Sequence, residues 1–246
     1  MFNFKSKRIK QNLENEQKLG SALITYFEPM SAIAEQYRTL RTNIEFAQIG
    51  KDMKSIAITS SIPMEGKSTT AVNLAYTYAQ TNRKVLIVDS DLRKPTLHRT
   101  FKLNNTRGLT TLLVNEEKPS LEIIQKSEEL GLFFLTSGPI PPNPAELLAS
   151  EQMKNLVEEL TEIFDLVIFD TPPIQSVTDP QIISSIVDGV ILVARQNYVR
   201  KDQVGESKEA LEKVKANILG FVLNDAPLEK NRGYGYYDYY RADDNE

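Results

Sequence analysis

The chain has 246 residues, 41% of them hydrophobic and 25% charged, with a formal net charge of −4, which suits one large globular domain or two small ones and is the wrong sign for a general nucleic-acid binder. The lack of cysteine excludes disulfide frameworks, thiolate metal sites and cysteine nucleophiles, and a single histidine, His98, argues against a His-based metal cluster or a Ser-His triad. No apolar run approaches the length of a membrane span, and the start MFNFKSKRIKQN lacks a secretory hydrophobic region, so a cytoplasmic protein is expected.

Residues 1–30 read as an N-terminal extension. Its first ten residues carry four basic and no acidic side chains, which suits either an anionic membrane surface or plain solvation. Residues 31–48, SAIAEQYRTLRTNIEFAQ, follow with Ile33, Tyr37, Leu40, Ile44 and Ala47 at the spacing of one helix face. Beside that stripe, Glu35, Arg38 and Arg41 recur at steps of three, either as a solvated face or as a self-association surface.

From Lys54 onward, apolar runs at 55–59, 84–89, 132–137, 165–170, 189–194 and 218–224 alternate with helical patterns near 67–81, 144–163, 179–186 and 202–216. The runs are almost continuously hydrophobic, as parallel strands covered on both faces should be. Strand and helix repeated in this way predict a doubly wound, mostly parallel α/β sheet, and the domain is placed at residues 31–224.

The first strand runs into SSIPMEGKSTT, where Gly66, Lys67, Ser68 and Thr69 open the next helix. A phosphate-binding loop needs backbone amides at a helix N-terminus, a lysine for the β- and γ-phosphates and a hydroxyl for Mg²⁺, and all are present in order. The G-x-x-x-x-G-K-[ST] pattern is broken at Ser61, which stands in place of the first glycine. Asp89 and Asp91 in VLIVDSDLRKP end the second strand, and Asp170 in LVIFDTPP ends another. The carboxyl edge of an open parallel sheet is where ligands bind, so the three carboxylates are expected to converge on the loop, with Mg²⁺ as their natural partner.

Residues 225–246 end in KNRGYGYYDYYRADDNE, where Tyr234, Tyr236, Tyr237, Tyr239 and Tyr240 crowd into seven positions. Few aliphatic residues and two glycines leave little to bury, so a flexible tail is expected.

Taken together, EQYRTLRTNI, SSIPMEGKST, VDSDLRKP, PPNPAELL, FDTPP and the tyrosine cluster resemble the bacterial tyrosine kinases of capsular and exopolysaccharide biosynthesis, of the stand-alone cytoplasmic type. These are relatives of the cell-division and plasmid-partition ATPases of the deviant P-loop class. The resemblance implies a P-loop fold, ATP and Mg²⁺ as cofactors, and autophosphorylation of the tail tyrosines. By the same resemblance, Lys67 holds phosphate and Ser68 ligates Mg²⁺, while Thr69, Gly66 and the loop residues Ser61, Met64 and Glu65 complete the cradle. Asp89 and Asp91 position the metal, one of them, with Asp89 preferred, accepting the tyrosine proton; Asp170 is the Walker B acid; and Arg93 positions phosphate or substrate. Met64 stands where the family usually has glycine, which restricts positive φ in the loop. Asn224 either reads the adenine edge or caps its strand.

Glu35, Arg38 and Arg41 match the family's E-x-x-R-x-x-R motif, which packs subunits into a ring. The implied partners are the cytoplasmic segment of a membrane polysaccharide co-polymerase adaptor, which would recruit the protein to the inner membrane face, and a cognate phosphotyrosine phosphatase. A partition-type ATPase switch is the nearest alternative, but its additional loop lysine is replaced here by Pro63. A nucleotide-bound adaptor with little turnover is a third.

Overall fold

In a computed structural model, residues 22–47, 53–114 and 121–227 are described. Residues 1–21 and the tail tyrosines Tyr234, Tyr236, Tyr237, Tyr239 and Tyr240 lie outside them. Two helices, α1 (Ile24–Phe27) and α2 (Ala32–Ala47), precede a seven-stranded sheet. Its strands are β1 (Ser55–Ser60), β2 (Val85–Asp89), β3 (Gln125–Ser127), β4 (Leu132–Leu135), β5 (Leu166–Asp170), β6 (Gly189–Arg195) and β7 (Ile218–Asn224). The order is β3-β4-β2-β5-β1-β6-β7, and every pairing is parallel except β3 with β4.

All six expected strands are present, and the central ones are buried at every position, which explains their unbroken hydrophobicity. Strand alternation divides the apolar side chains between two cores. Ile56, Ile58, Ile87 and Ile168 face one layer, where they meet Val72, Leu74, Ala75 and Tyr78 of α3 (Lys67–Ala79). Ala57, Leu86, Val88, Val167 and Phe169 face the other. There they meet Leu156, Val157 and Leu160 of α7 (Glu151–Ile163), Ile183 of α8 (Asp179–Ser184) and Leu211 of α9 (Lys201–Lys213).

The remaining elements are α4 (Leu97–Thr100), α5 (Leu109–Val114), α6 (Pro144–Leu148) and a 3₁₀ turn at Leu121–Ile123. The expected helix at 144–163 is therefore two helices, α6 and α7. Ser150 divides them: its Oγ accepts from the Met153 amide, capping α7, and donates to the Leu147 carbonyl of α6. The polar edge strand β3 carries no apolar pattern and escaped the sequence reading.

In α2 the buried face is Ala34, Tyr37 and Ile44, while Ile33 stays 43% exposed. Tyr37, Leu40 and Ile44 thus keep the expected face, and only its ends differ: Ala34 is buried in place of Ile33, and Ala47 is exposed. Residues 22–27, assigned by sequence to the extension, pack on α3. Asn73 of α3 joins them: its Oδ1 accepts from the Thr25 amide and hydroxyl at 2.9 Å each, and its Nδ2 donates to the Ala22 carbonyl at 2.6 Å.

Candidate active site

The loop from β1 to α3 turns sharply and delivers a helix N-terminus to the carboxyl edge of the sheet. Gly66 takes φ 93° just before Lys67, and the Thr70 amide donates to its carbonyl, beginning the helix. Helix geometry leaves the preceding amides without intrahelical acceptors, oriented as phosphate donors. Met64 adopts φ 68° and turns its side chain to solvent, 74% exposed. The expected restriction is therefore overcome, at a cost of about 1 kcal/mol for an L-residue in this region. Ser61, in the position of the missing glycine, is fully buried, and its Oγ has no hydrogen-bond partner.

Sheet register brings the acids together. Asp89 of β2 is paired directly with Asp170 of β5, and Asp170 lies opposite Ile58 of β1, three residues before the loop. Lys67 reaches into this group: its Nζ is 3.4 Å from Asp170 Oδ1, 3.5 Å from Asp91 Oδ2 and 3.2 Å from Ser68 Oγ. Burial alone would lower the Lys67 pKa, but the carboxylates of Asp170, Asp91 and Asp89 outweigh it and raise the value.

The three acids are held differently. Asp91 accepts the Lys94 amide on Oδ1 and faces Lys67 with Oδ2, so both oxygens are engaged. Asp89 accepts the Thr96 and Leu97 amides on Oδ2, at 3.1 and 3.0 Å, and leaves Oδ1 buried without a partner. Burial first, and then the Asp170 charge, push the Asp89 carboxyl up to about 7. Asp170 is likewise raised, chiefly by burial, and its Oδ2 is also unpartnered.

The orphaned Asp170 oxygen and the Ser68 hydroxyl fit a hard cation, while the Asp89 oxygen beside them is left to accept a proton. Among the described residues, no three acidic or histidine groups form a metal cage by themselves. The expected set of Asp89, Asp91, Asp170 and Ser68 is therefore not a closed site, because the Lys67 ammonium stands between Asp91 and Asp170. Such an arrangement suits Mg²⁺, which takes one or two carboxylates and completes its shell with phosphate oxygens and water.

Arg93 departs from expectation in its partner. Its guanidinium makes a two-pronged pair with Asp179, at 2.8 and 3.0 Å, which ties the post-β2 loop to the start of α8. Asp179 is fully buried and was passed over in the sequence; the signal was the Thr178-Asp179-Pro180 helix start. Asn224 does not cap its strand through its side chain but reaches the phosphate loop. Its Nδ2 donates to the Glu65 carbonyl at 2.9 Å. Away from the site, Glu35 and Arg38 pair with each other at 2.7 Å, while Arg41 donates to the Thr77 carbonyl of α3 at 2.6 Å.

A parallel sheet with this loop, lysine and strand-end acids defines a P-loop nucleotide-binding domain of the α/β class. Residues 53–222 match the family model of an AAA domain. The chain is 52% identical to the tyrosine-protein kinase YwqD of Bacillus subtilis, over 87% of this chain and 90% of that protein. It is 41% identical to the putative tyrosine-protein kinase CapB of Staphylococcus aureus, over 88% of this chain and 95% of that one. Among solved structures, the kinase domain of Escherichia coli tyrosine kinase ETK superposes with a TM-score of 0.78 at 33% identity, covering 87% of this chain and 85% of the other. The chain belongs to the bacterial tyrosine-protein kinases.

Proposed function

We propose that this protein transfers the γ-phosphoryl group of ATP to tyrosine hydroxyls of its own C-terminal cluster, Tyr234, Tyr236, Tyr237, Tyr239 and Tyr240. The observation that carries this reading is Asp89: one carboxylate oxygen is fixed by two amides, the other is buried and unpartnered, and its pKa lies near 7. That is the profile of a general base at neutral pH. Asp91, with both oxygens engaged, is the weaker candidate.

In the transfer, the tyrosine oxygen bonds to the γ-phosphorus, the bond from phosphorus to the β,γ-bridging oxygen breaks, ADP leaves, and Asp89 Oδ1 takes the phenolic proton. Lys67 and the amides of residues 66–69 hold the phosphates and offset their charge. Ser68 and the unpartnered Asp170 oxygen would hold Mg²⁺, whose contribution is neutralisation of phosphate charge, while Asp91 keeps Lys67 in place. Lys67, Ser68, Asp91 and Asp170 are thus oriented for the same charge-laden transition state.

A neighbouring subunit is the preferred source of the tyrosine. An extended tail of ten to sixteen residues reaches roughly 35–55 Å from the carboxyl edge. Full modification adds roughly −8 to −10 charges, which would weaken a ring of subunits by repulsion. The ring, its Glu35–Arg38–Arg41 contact face, the membrane adaptor that recruits the kinase, the opposing phosphatase and control of capsular or exopolysaccharide polymerisation rest on the family resemblance.

Peptide-mapping mass spectrometry of the full chain after incubation with Mg²⁺ and ATP, beside Lys67→Met, tests the reading. Phosphate on the tail tyrosines only with Lys67 intact is the expected result. ADP release without phosphotyrosine, even with an adaptor's cytoplasmic segment added, would favour an ATPase switch. If neighbours are the substrates, the initial rate per molecule rises with protein concentration.

A further inference from the structure

The phosphate loop carries left-handed backbone at both Met64 and Gly66, so something must hold it in shape. Its own hydrogen bonds are few. Ser60 Oγ donates to the Ile62 carbonyl at 2.8 Å, and the Ser61 carbonyl accepts from the Gln175 amide. The remaining restraints come from Glu65 and from the far edge of the sheet.

Glu65 is fully buried although it sits in a loop. Its Oε2 accepts the Ile62 amide at 2.7 Å, closing the loop on itself, and its Oε1 accepts the Arg195 amide at 3.1 Å, fastening the loop to the end of β6. A buried carboxylate held by two amides is expensive to leave unpaired, so it fixes both ends of the connection. The Glu65 carbonyl is in turn taken by Asn224 Nδ2, from the end of β7. The approach is so close that a Cβ at Gly66 would lie 2.2 Å from that nitrogen. Gly66 is therefore required twice, by its φ and by Asn224. The strand ends that supply these contacts are themselves joined: the Gln196 amide donates to the Asn224 carbonyl at 2.9 Å, and the Arg195 guanidinium pairs with Asp225.

We propose that Asn224 and Glu65 are positioning residues for the phosphate loop: Asn224 fixes the Glu65 carbonyl beside Gly66, and the Glu65 carboxylate clamps the Ile62 and Arg195 amides. The inference rests on the kinase reading only in taking the loop to bind phosphates. It assigns Asn224 to the polyphosphate half of the ligand and not to its base. Removing the Asn224 amide therefore lowers affinity for every ligand that the loop cradles, whatever base that ligand carries.

The test measures the affinity of the full chain, with Mg²⁺, for ATP, GTP and base-free inorganic triphosphate, in wild type, Asn224→Ala, Asn224→Asp and Glu65→Gln. Asn224→Asp keeps the side chain's shape but replaces the donor with a carboxylate facing a carbonyl. Glu65→Gln keeps the volume but turns one acceptor into a donor against an amide. The expected result is a loss of about tenfold that is the same for all three ligands, with Asn224→Asp no better than Asn224→Ala. A loss confined to ATP in the Asn224 variants would show base reading and overturn the inference. So would unchanged affinity for all three ligands in folded variants, folding being checked by thermal unfolding without ligand. Wild-type protein that binds none of the three would instead overturn the kinase reading, and this inference with it, so the two failures are told apart. The catalytic rate at saturating ATP separates the roles further: a pure positioning defect in the ground state raises KM more than it lowers kcat.

Discussion

The two ends of the sheet use the same side chain in opposite ways. At the amino edge, Asp188 Oδ2 accepts the Lys54 amide, the Ser55 amide and the Ser55 hydroxyl at 2.7–2.9 Å, and Asp165 Oδ2 accepts the Lys84 amide at 2.7 Å. At the carboxyl edge, Asp89 and Asp170 each keep one buried oxygen without any partner, and both carboxyls are raised. One edge is sewn shut, while the other holds carboxylates whose charge no protein group fully offsets. A buried polar atom left unpaired costs about 1–3 kcal/mol. Its persistence in two neighbouring strand-end acids beside a phosphate loop marks where a ligand supplies the missing contacts.

The sharpest way to break this comparison is at Lys67, whose ammonium sits among the carboxyl-edge acids. Lys67→Met should reduce the initial rate of tyrosine phosphorylation at least about 100-fold, measured by mass spectrometry at saturating ATP. A smaller loss would mean that the loop amides suffice.

Asp89→Asn should lower the rate by about 10²–10⁴-fold, yet stabilise the nucleotide-free protein. With a folded pKa of about 7 against an ordinary 3.8, Asp89 holds a proton in the folded state, but not the unfolded one, across that window. Folded stability is therefore lost as pH rises from about 4 to about 7, and the Asp89→Asn variant escapes that loss. Urea unfolding in chelator should show this variant gaining about 1–3 kcal/mol over wild type at about pH 8 and little at about pH 4. Equal gains at both pH values would contradict the raised pKa.

At the sewn edge the signs reverse. Asp188→Ala removes the acceptor of two amides and a hydroxyl, and should cost about 1–3 kcal/mol of stability while leaving kcat within about twofold. A large kcat effect would erase the distinction between the two ends. The smallest effect is expected at Met64. Met64→Gly relieves left-handed backbone but frees the unfolded chain, for a net gain of about 0.5 kcal/mol, read as a small rise in Tm.

The fold was legible because its strongest signals are local. Runs such as VLIVD and LVIFD can only be strands buried on both sides, and the β1–loop–α3 junction spells out its chemistry in consecutive residues. Boundaries set by side-chain competition were not legible. Ser150 divides one helical pattern in two, and the first turn of α2 buries Ala34 in place of Ile33.

Of the site, the sequence by itself determined which residue types are present and that Asp89, Asp91, Asp170 and Lys67 would lie at one sheet edge, since each follows a strand or opens a helix. Tertiary structure alone decided how they divide the work. That Asp89 rather than Asp91 keeps a free oxygen depends on the Thr96, Leu97 and Lys94 amides. That Arg93 holds Asp179, and that Asn224 holds the Glu65 carbonyl, depends on strands and loops brought together from 86 and 159 residues apart. Such partners carry no local periodicity or spacing. They are set by register and by packing, which only the folded chain possesses.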